Sequence, residues 1–170
     1  GPDSLNLGKP LKLIEPPLRN NIPIYLAAIG PKNIELSAEV ADGWLPFMYS
    51  PTKGDMVFKD YLKKGFEKSG VPNKDKEFNI VAKVFARLCE EHEVDEYLKQ
   101  ARTTYSIDVG GRGDKDKNFN CKLMCEYGYE EIATEIQKLY LSGKNQAAEY
   151  LFPDDLLRDL TLVCTKKDIE

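Results

Sequence analysis

The chain has 170 residues, with 24 lysine and arginine residues against 28 aspartate and glutamate residues, so its formal net charge is −4. This mildly acidic balance without a basic stripe argues against a nucleic-acid-binding protein, and no apolar run approaches the ~20 residues needed to cross a bilayer. The composition is that of a globular protein, but an eight-stranded (β/α) barrel usually takes about 250 residues, more than this chain contains.

The four cysteines form no dense framework, so we expect reduced thiols in a cytoplasmic protein. Cys121 and Cys125 are spaced i and i+4 on a predicted helix, and His92 is the single histidine of the chain. A zinc site needs about four ligands, typically in closer pairs. Packed thiols are therefore the favoured interpretation, and we predict no metal site.

Residues 1–21 read as a loop-rich amino-terminal stretch because proline, glycine and asparagine interrupt them, with a short extended piece over 9–14. The first predicted strand covers Ile22 to Ala28. This continuous apolar run is typical of a parallel strand that is covered on both faces.

A glycine followed by proline then signals the start of a helix at Gly30-Pro31. The apolar residues that follow recur at one helical face, and Trp44 to Met48 is predicted as a second strand. The order strand, helix, strand predicts a right-handed βαβ unit. A further helix follows, with Phe58, Leu62 and Phe66 on one face and Gly70 as its carboxyl-terminal cap.

Alternation predicts a third strand over Phe78 to Leu88, because every even-numbered position is apolar and should meet a core. Lys83 and Arg87 share the opposite face. Two interpretations of this face remain open. The charges could point into a barrel and contact a substrate or coenzyme, or they could protect an exposed edge from pairing.

The remainder of the chain is predicted to be mainly helical, with a glycine-rich loop over residues 108–118. Helices are predicted over 119–127, 130–141 and 145–150, whereas 156–164 is ambiguous. Within the loop, the sequence Gly110-Gly111-Arg112-Gly113 could form an anion-binding nest. A flexible surface loop is the favoured alternative, since a single glycine cluster is a weak signal.

The turn between the first strand and its helix is the best candidate site. At a helix start, free backbone N–H groups and the positive end of the helix dipole point at one spot, which suits an anionic group. Gly30 would permit the close approach of a phosphate, and Lys32 could add positive charge. The alternative is a plain strand-to-helix turn with proline at the first helical position.

An ordered set of segments resembles the luciferase-like monooxygenase superfamily, and within it the branch that uses an 8-hydroxy-5-deazaflavin coenzyme, coenzyme F420. These segments follow one another in the order expected of that branch, and the resemblance extends over nearly the whole chain. They are residues 8–13, 22–33, 41–46, 110–113, 118–119, 128–129, 136–141 and 162–163.

The resemblance implies an α/β fold that forms part of a (β/α)8 TIM barrel, in which the three predicted strands correspond to strands five to seven. It implies a single segment over 1–170, with a barrel portion over 22–88 and a helical region over 89–170. Strands one to four, the eighth strand and the last helix have no counterpart in this comparison. Since strands one to four carry most acid and base residues of the family, no catalytic residue is assigned to this chain.

By position, the resemblance implies that the turn after the first strand holds the phosphate of the coenzyme, while a residue near the end of the second strand borders it. The implied residues are Ala28, Ile29, Gly30, Lys32, Asn33 and Phe47. Coenzyme F420 is the implied cofactor, and FMN is the alternative.

Two functions therefore remain. The first is a segment of a flavin- or deazaflavin-dependent oxidoreductase that transfers hydride between coenzyme and an unknown small organic substrate. The second is a non-catalytic binding or assembly module derived from such a barrel, which would pair with itself or with a complementary barrel half because strand edges are left open. Neither predicts a nucleic acid or a membrane as a partner.

Overall fold

A computed structural model describes residues 14–15, 18–19, 21–114 and 116–169. The first half contains the strands β1 (Tyr25–Ala27), β2 (Gly43–Leu45), β3 (Asn79–Ile80) and β4 (Phe85–Leu88), and the helices α1 (Pro31–Val40), α2 (Gly54–Ser69) and α3 (Lys74–Glu77). The second half contains the helices α4 (Val94–Ser106), α5 (Phe119–Met124), α6 (Glu130–Leu141), α7 (Asn145–Tyr150) and α8 (Asp154–Asp159), followed by the strand β5 (Thr161–Cys164). The extended piece predicted over 9–14 and most of the stretch 1–21 lie outside the described residues.

Three strands form a parallel sheet in the order β1-β2-β3. Tyr25 lies opposite Gly43, and Gly43 lies opposite Asn79, so the three strands begin at the same level. The predicted strand–helix–strand unit is confirmed, because Pro31 occupies the first turn of α1 and leads the chain away from β1. The result is an α/β fold with three parallel strands and helices.

Helices α1 and α2 pack against each other with very little space between their backbones. Ile34 and Ala38 of α1 and Phe58 and Leu62 of α2 are buried in one core. Gly65 makes the close approach possible, because a Cβ atom at this position would lie 2.2 Å from the carbonyl oxygen of Glu35. Helix α2 ends at Gly70 in the left-handed conformation, as its sequence predicted.

The predicted third strand over 78–88 is wrong as a single strand. The chain forms two short strands there, β3 in the first sheet and β4 in a second sheet, with 81–84 between them. The predicted core face is wrong as well, because the even-numbered Ile80, Val84 and Leu88 are exposed. Alternation identified extended backbone, but it could not show that the segment changes its pairing partner.

The second sheet pairs β4 with β5 in parallel, and Phe85 lies opposite Thr161. The segment 156–164, which the sequence left ambiguous, thus contains the end of α8 and a whole strand. The resemblance implied no strand after the third, and β5 corrects that expectation. The two partners are far apart in the chain, so no local pattern specifies their pairing.

The region from α4 to α8 is helical, and α6 and α7 have the predicted bounds. The predicted loop over 108–118 needs correction, because Ile107–Gly111 forms a π-helical turn that continues α4. Packing explains why this segment is helical. Asp108, Val109 and Gly110 are buried against neighbouring helices, and this burial overrides the turn propensity of the glycines.

Candidate functional site

An open cavity of about 720 Å³ lies at the carboxyl ends of β1, β2 and β3. We call it the first cavity. Ligands of parallel α/β sheets bind at this end of the strands, because the loops that follow the strands converge there. Its walls come from all three strand ends and from the start of α5. They comprise Ala27, Ala28, Ile29, Gly30, Asn33, Leu45, Pro46, Phe47, Val81, Ala82, Lys83 and Phe119.

The turn after β1 opens α1 without a side-chain cap. The backbone N–H groups of Asn33 and Ile34 both donate to the carbonyl of Gly30 at 3.0 Å. Pro31 has no N–H group, and the N–H of Lys32 has no acceptor within the helix. This end of α1 also carries the positive end of the helix dipole, so the turn suits an anionic group.

Gly30 is not required by the fold. Its backbone, with φ −81° and ψ 150°, is one that any residue adopts. A Cβ atom built on it would meet only the Phe119 ring, at 3.9 Å. The absent side chain therefore leaves space in the first cavity rather than relieving strain in the chain.

Trp44 fixes the position of the turn. Its side chain is 1 % exposed, and its indole Nε1 donates to the carbonyl oxygen of Ala28 at 2.8 Å. The Trp44 ring also packs edge-on against Phe58 of α2, with ring centroids 4.9 Å apart. The residue thus ties the end of β1 to the core below the cavity.

A strained residue follows Phe47 at the edge of the cavity. Met48 has φ 50°, a conformation that side chains rarely adopt, and it is buried. The phenol of Tyr127 donates to the Met48 carbonyl at 2.9 Å. Burial raises the pKa of Tyr127, so the phenol keeps its proton and stays a donor. The Met48 conformation is therefore held by a hydrogen bond from the core.

Phe119 is a wall residue that the turn-based reasoning missed. It is 57 % exposed and belongs to α5, which is distant in sequence from the turn. The neighbouring Asn118 caps α5 by accepting from the N–H of Cys121 at 3.0 Å, and its amide donates to the carbonyl of Val109 at 2.6 Å. The buried Asn118 therefore holds Phe119 over the turn, an arrangement that only the tertiary structure creates.

Five of the six predicted coenzyme-binding residues line the first cavity. Ala28, Ile29, Gly30 and Asn33 come from the turn, and Phe47 comes from the segment after β2. Lys32 does not line it. Its charge instead acts on Glu35, whose pKa is lowered mainly by a hydrogen bond from Lys68 and to a smaller extent by Lys32. The role of these residues toward a coenzyme stays a prediction.

A second cavity of about 210 Å³ adjoins the first and shares Phe47 and Lys83 with it. The other lining residues come from the segment after β2, from the 81–88 segment, from α4 and from the π-helical turn. They are Met48, Val84, Phe85, Ala86, Arg87, Thr104, Tyr105 and Asp108. The two basic residues whose direction the sequence left open therefore border one cavity.

Asp108 is buried, and its Oδ1 atom makes no hydrogen bond within the described part of the chain. The Nε atom of the exposed Arg112 lies 2.6 Å from this oxygen, so the two groups form an ion pair although their geometry is not that of a hydrogen bond. Burial raises the pKa of Asp108, while the charges of Arg112 and Lys83 oppose that rise. The carboxylate is thus flanked by cations.

The glycine cluster at 110–113 has structural partners. A Cβ atom on Gly110 would lie 2.3 Å from the ring of Tyr140, so glycine is needed there for close packing against α6. Arg112 is engaged by Asp108. These contacts give Gly110 a role in packing and Arg112 a role in ion pairing. The burial of Gly110 also corrects the expectation of a flexible surface loop at that position.

The cysteines are free thiols, and Cys121 is buried with its thiol donating to the carbonyl of Ala133 at 3.6 Å. Across residues 14–15, 18–19, 21–114 and 116–169, no group of three or more histidine, cysteine, aspartate or glutamate side chains could hold a metal ion. None of the helices within these ranges is long and apolar enough to span a membrane.

The parallel sheet, with helices packed on it and a cavity at the carboxyl ends of its strands, defines an α/β protein. More specifically, the chain belongs to the luciferase-like monooxygenase family, whose sequence profile it matches over residues 5–169. The resemblance stated from the sequence is thereby confirmed.

Two proteins, one similar in sequence and one similar in structure, show which part of such enzymes the chain matches. It is 34% identical over 163 residues to a Mycobacterium tuberculosis protein whose name assigns it, provisionally, as a coenzyme F420-dependent oxidoreductase; the match covers 96% of this chain and 46% of the relative. The fold matches the coenzyme F420-dependent tetrahydromethanopterin reductase of Methanopyrus kandleri with a TM-score of 0.62 and 19% identity, over 87% of this chain and 40% of that structure. The chain thus spans less than half the length of either protein and matches part of a luciferase-like TIM-barrel enzyme.

Proposed function

We propose that the chain is a segment of a deazaflavin-dependent oxidoreductase, and that it supplies the turn that binds the phosphate of coenzyme F420. The strands β1, β2 and the 79–88 segment would serve as strands five to seven of the barrel. FMN, which also carries a phosphate, is the alternative coenzyme. The family membership and the names of the two relatives support this proposal.

The observation that carries the proposal is the combination of an open helix start with a glycine that the fold does not need. The N–H of Lys32 and the dipole of α1 favour an anion, and Gly30 leaves room for it. Both features face the first cavity at the strand ends.

The residues present fit the coenzyme by their chemistry. The turn over 28–33 would hold the phosphate, and Phe47, Val81 and Phe119 provide apolar walls for uncharged parts of the molecule. When bound, the coenzyme supplies the hydride chemistry, whereas the protein supplies binding and orientation. Trp44 keeps the turn in place through its hydrogen bond to Ala28.

This proposal assigns no acid or base to the chain. The cytoplasmic location stays a prediction, and the sequence named neither a substrate nor a direction of hydride transfer. What this chain contributes is coenzyme binding, so binding is the property to be tested.

The test is a titration of the chain with two matched pairs of ligands. Coenzyme F420 is compared with its phosphate-free deazaflavin, and FMN is compared with riboflavin, by fluorescence. We expect coenzyme F420 to bind more tightly than its phosphate-free form by about tenfold or more, because charge-assisted hydrogen bonds to the turn are lost. Equal affinities within both pairs would contradict the proposal that the turn binds the phosphate.

A second candidate function is a non-catalytic binding or assembly module. The observation that favours it is the apolar surface at open strands, since Ile24 before β1 and Leu162 on β5 are both exposed. Such edges pair with other strands. A chain that associates but binds neither coenzyme would support this function over the first.

A further inference from the structure

The second cavity combines an apolar lining with a positive charge that has no direct partner, although it acts on Asp108 at longer range. The Lys83 ammonium makes no hydrogen bond or ion pair with another described residue, although it borders both cavities. Around it lie the apolar side chains of Phe47, Met48 and Val84. An unpaired cation at an apolar wall is suited to recognise an anionic group on an apolar molecule.

Arg87 adds a second cation to the same cavity. Its guanidinium lies over the ring of Phe85, 4.7 Å from the centroid, and donates to the carbonyl of Ala86 at 2.7 Å. A guanidinium offers five N–H donors. The contact with Ala86 therefore leaves donors available, while the ring contact fixes the orientation of the group.

The buried Asp108 does not cancel these charges. Arg112 pairs with its carboxylate from the exposed side, at 2.6 Å. Among the described residues that line this cavity, Lys83 and Arg87 face one acid, Asp108, whose charge Arg112 also offsets. The local field favours an anion, even though the chain as a whole is acidic.

We propose that the second cavity binds a small organic anion, with Lys83 and Arg87 holding its charged group and Phe47 packing against its carbon skeleton. The volume of about 210 Å³ corresponds to roughly seven water molecules, which limits the ligand to a small carboxylate or phosphate ester. As the substrate site beside the coenzyme, this cavity rests on the proposed function.

The test uses benzoate and phenyl phosphate as anionic probes, and methyl benzoate as the neutral analogue of the first. Binding to the chain is measured by calorimetry and by the NMR shifts of the residues lining the second cavity. We expect at least one anion to bind about tenfold more tightly than the ester. The two anions distinguish a carboxylate site from a phosphate site.

Variants locate the binding. Arg87→Gln and Lys83→Gln should each weaken binding of the favoured anion about tenfold, whereas Arg87→Lys and Lys83→Arg retain charge and should recover part of it. Lys59→Gln on the exposed face of α2 is the matched control and should leave binding unchanged. Circular dichroism checks that each variant is folded.

Equal binding of ester and anions, or anion binding that persists in both glutamine variants, would overturn the proposal. A parallel titration with coenzyme F420 separates the two claims. Anion binding without coenzyme binding would contradict the proposed function while leaving the anion site supported. Coenzyme binding without anion binding would overturn the anion site alone.

Discussion

Gly30 is the residue on which the function of the turn depends. A Cβ atom there finds open space and the backbone is unstrained, so a larger side chain should leave the free energy of unfolding almost unchanged. The same side chain would fill the place from which an anion reaches the N–H of Lys32. Fold and function are therefore separable at this position.

We expect Gly30→Val to weaken coenzyme F420 binding about tenfold or more, with Gly30→Ala in between, since each added methyl group displaces the phosphate from the backbone donors. Fluorescence titration measures the affinity, and urea unfolding checks the stability. Ala147→Val on the exposed face of α7 is the control. A Gly30→Val protein that binds coenzyme as tightly as the parent would contradict the role assigned to the turn.

The buried Trp44 side chain holds the turn by a hydrogen bond to the Ala28 carbonyl. Trp44→Phe retains an aromatic ring but removes the donor to the Ala28 carbonyl, and leaving this buried acceptor unpaired should cost about 1–3 kcal/mol of unfolding free energy. Tyr150→Phe removes a polar group from an exposed ring and should change stability little. If urea unfolding shows the same stability for both variants, the hydrogen bond does not hold the turn.

The elements show where sequence reasoning succeeded and where it could not succeed. The unit β1–α1–β2 was predictable because the apolar run, the Gly30-Pro31 step and the helical periodicity are all local signals. The pairing of β4 with β5 was not predictable, since Phe85 meets Thr161 across the whole helical region. The pattern over 78–88 showed extended backbone but not the break between two sheets.

The site was partly predictable for the same reason. The turn residues follow one another in sequence, so a single local pattern identified them, and the resemblance added Phe47. Phe119 and Val81 enter the cavity from other elements, and no spacing in the sequence connects them to Gly30. Lys32 carries the right charge, but its side chain acts on Glu35 and does not line the cavity.

Helices α1 and α2 provide the rigid base of the turn, and Gly65 is the point of closest contact. Gly65→Ala would gain about 1 kcal/mol in helix propensity. It would also place a Cβ atom 2.2 Å from the Glu35 carbonyl oxygen and 2.5 Å from the Ala38 Cβ, and such overpacking costs about 1–3 kcal/mol or more.

We therefore expect Gly65→Ala to be less stable than the parent chain by urea denaturation. Lys63→Ala, on the exposed side of the same helix, gains propensity without the clash and is the control. A Gly65→Ala protein as stable as the control would show that α1 and α2 can separate at little cost.

At the scale of the whole molecule, both sheets end in strands without a further partner among the described residues. In the first sheet β1 and β3 are the edge strands, and among the described residues the second sheet consists of β4 and β5. Apolar side chains are exposed at these strands, including Ile24 and Leu162. The relatives are more than twice as long as the matched region.

We expect the chain on its own to self-associate as its concentration rises, because open apolar strands pair with each other. Size-exclusion chromatography with light scattering measures this. Leu162→Lys on β5 should reduce association, whereas Leu141→Lys, at an equally exposed position ending α6, should not. If the chain stays monomeric at every concentration, the open strand edges do not pair between chains, and the prediction is wrong.

The central claim is that the backbone of the turn after β1 binds the phosphate of a deazaflavin coenzyme. The most direct measurement is an amide ¹H–¹⁵N NMR titration of the chain with coenzyme F420, repeated with its phosphate-free form. The account predicts that the largest shifts occur at Gly30, Lys32 and Asn33, and that they shrink when the phosphate is missing. Shifts centred on Gly111 to Gly113 instead, or identical shifts with and without the phosphate, would contradict it.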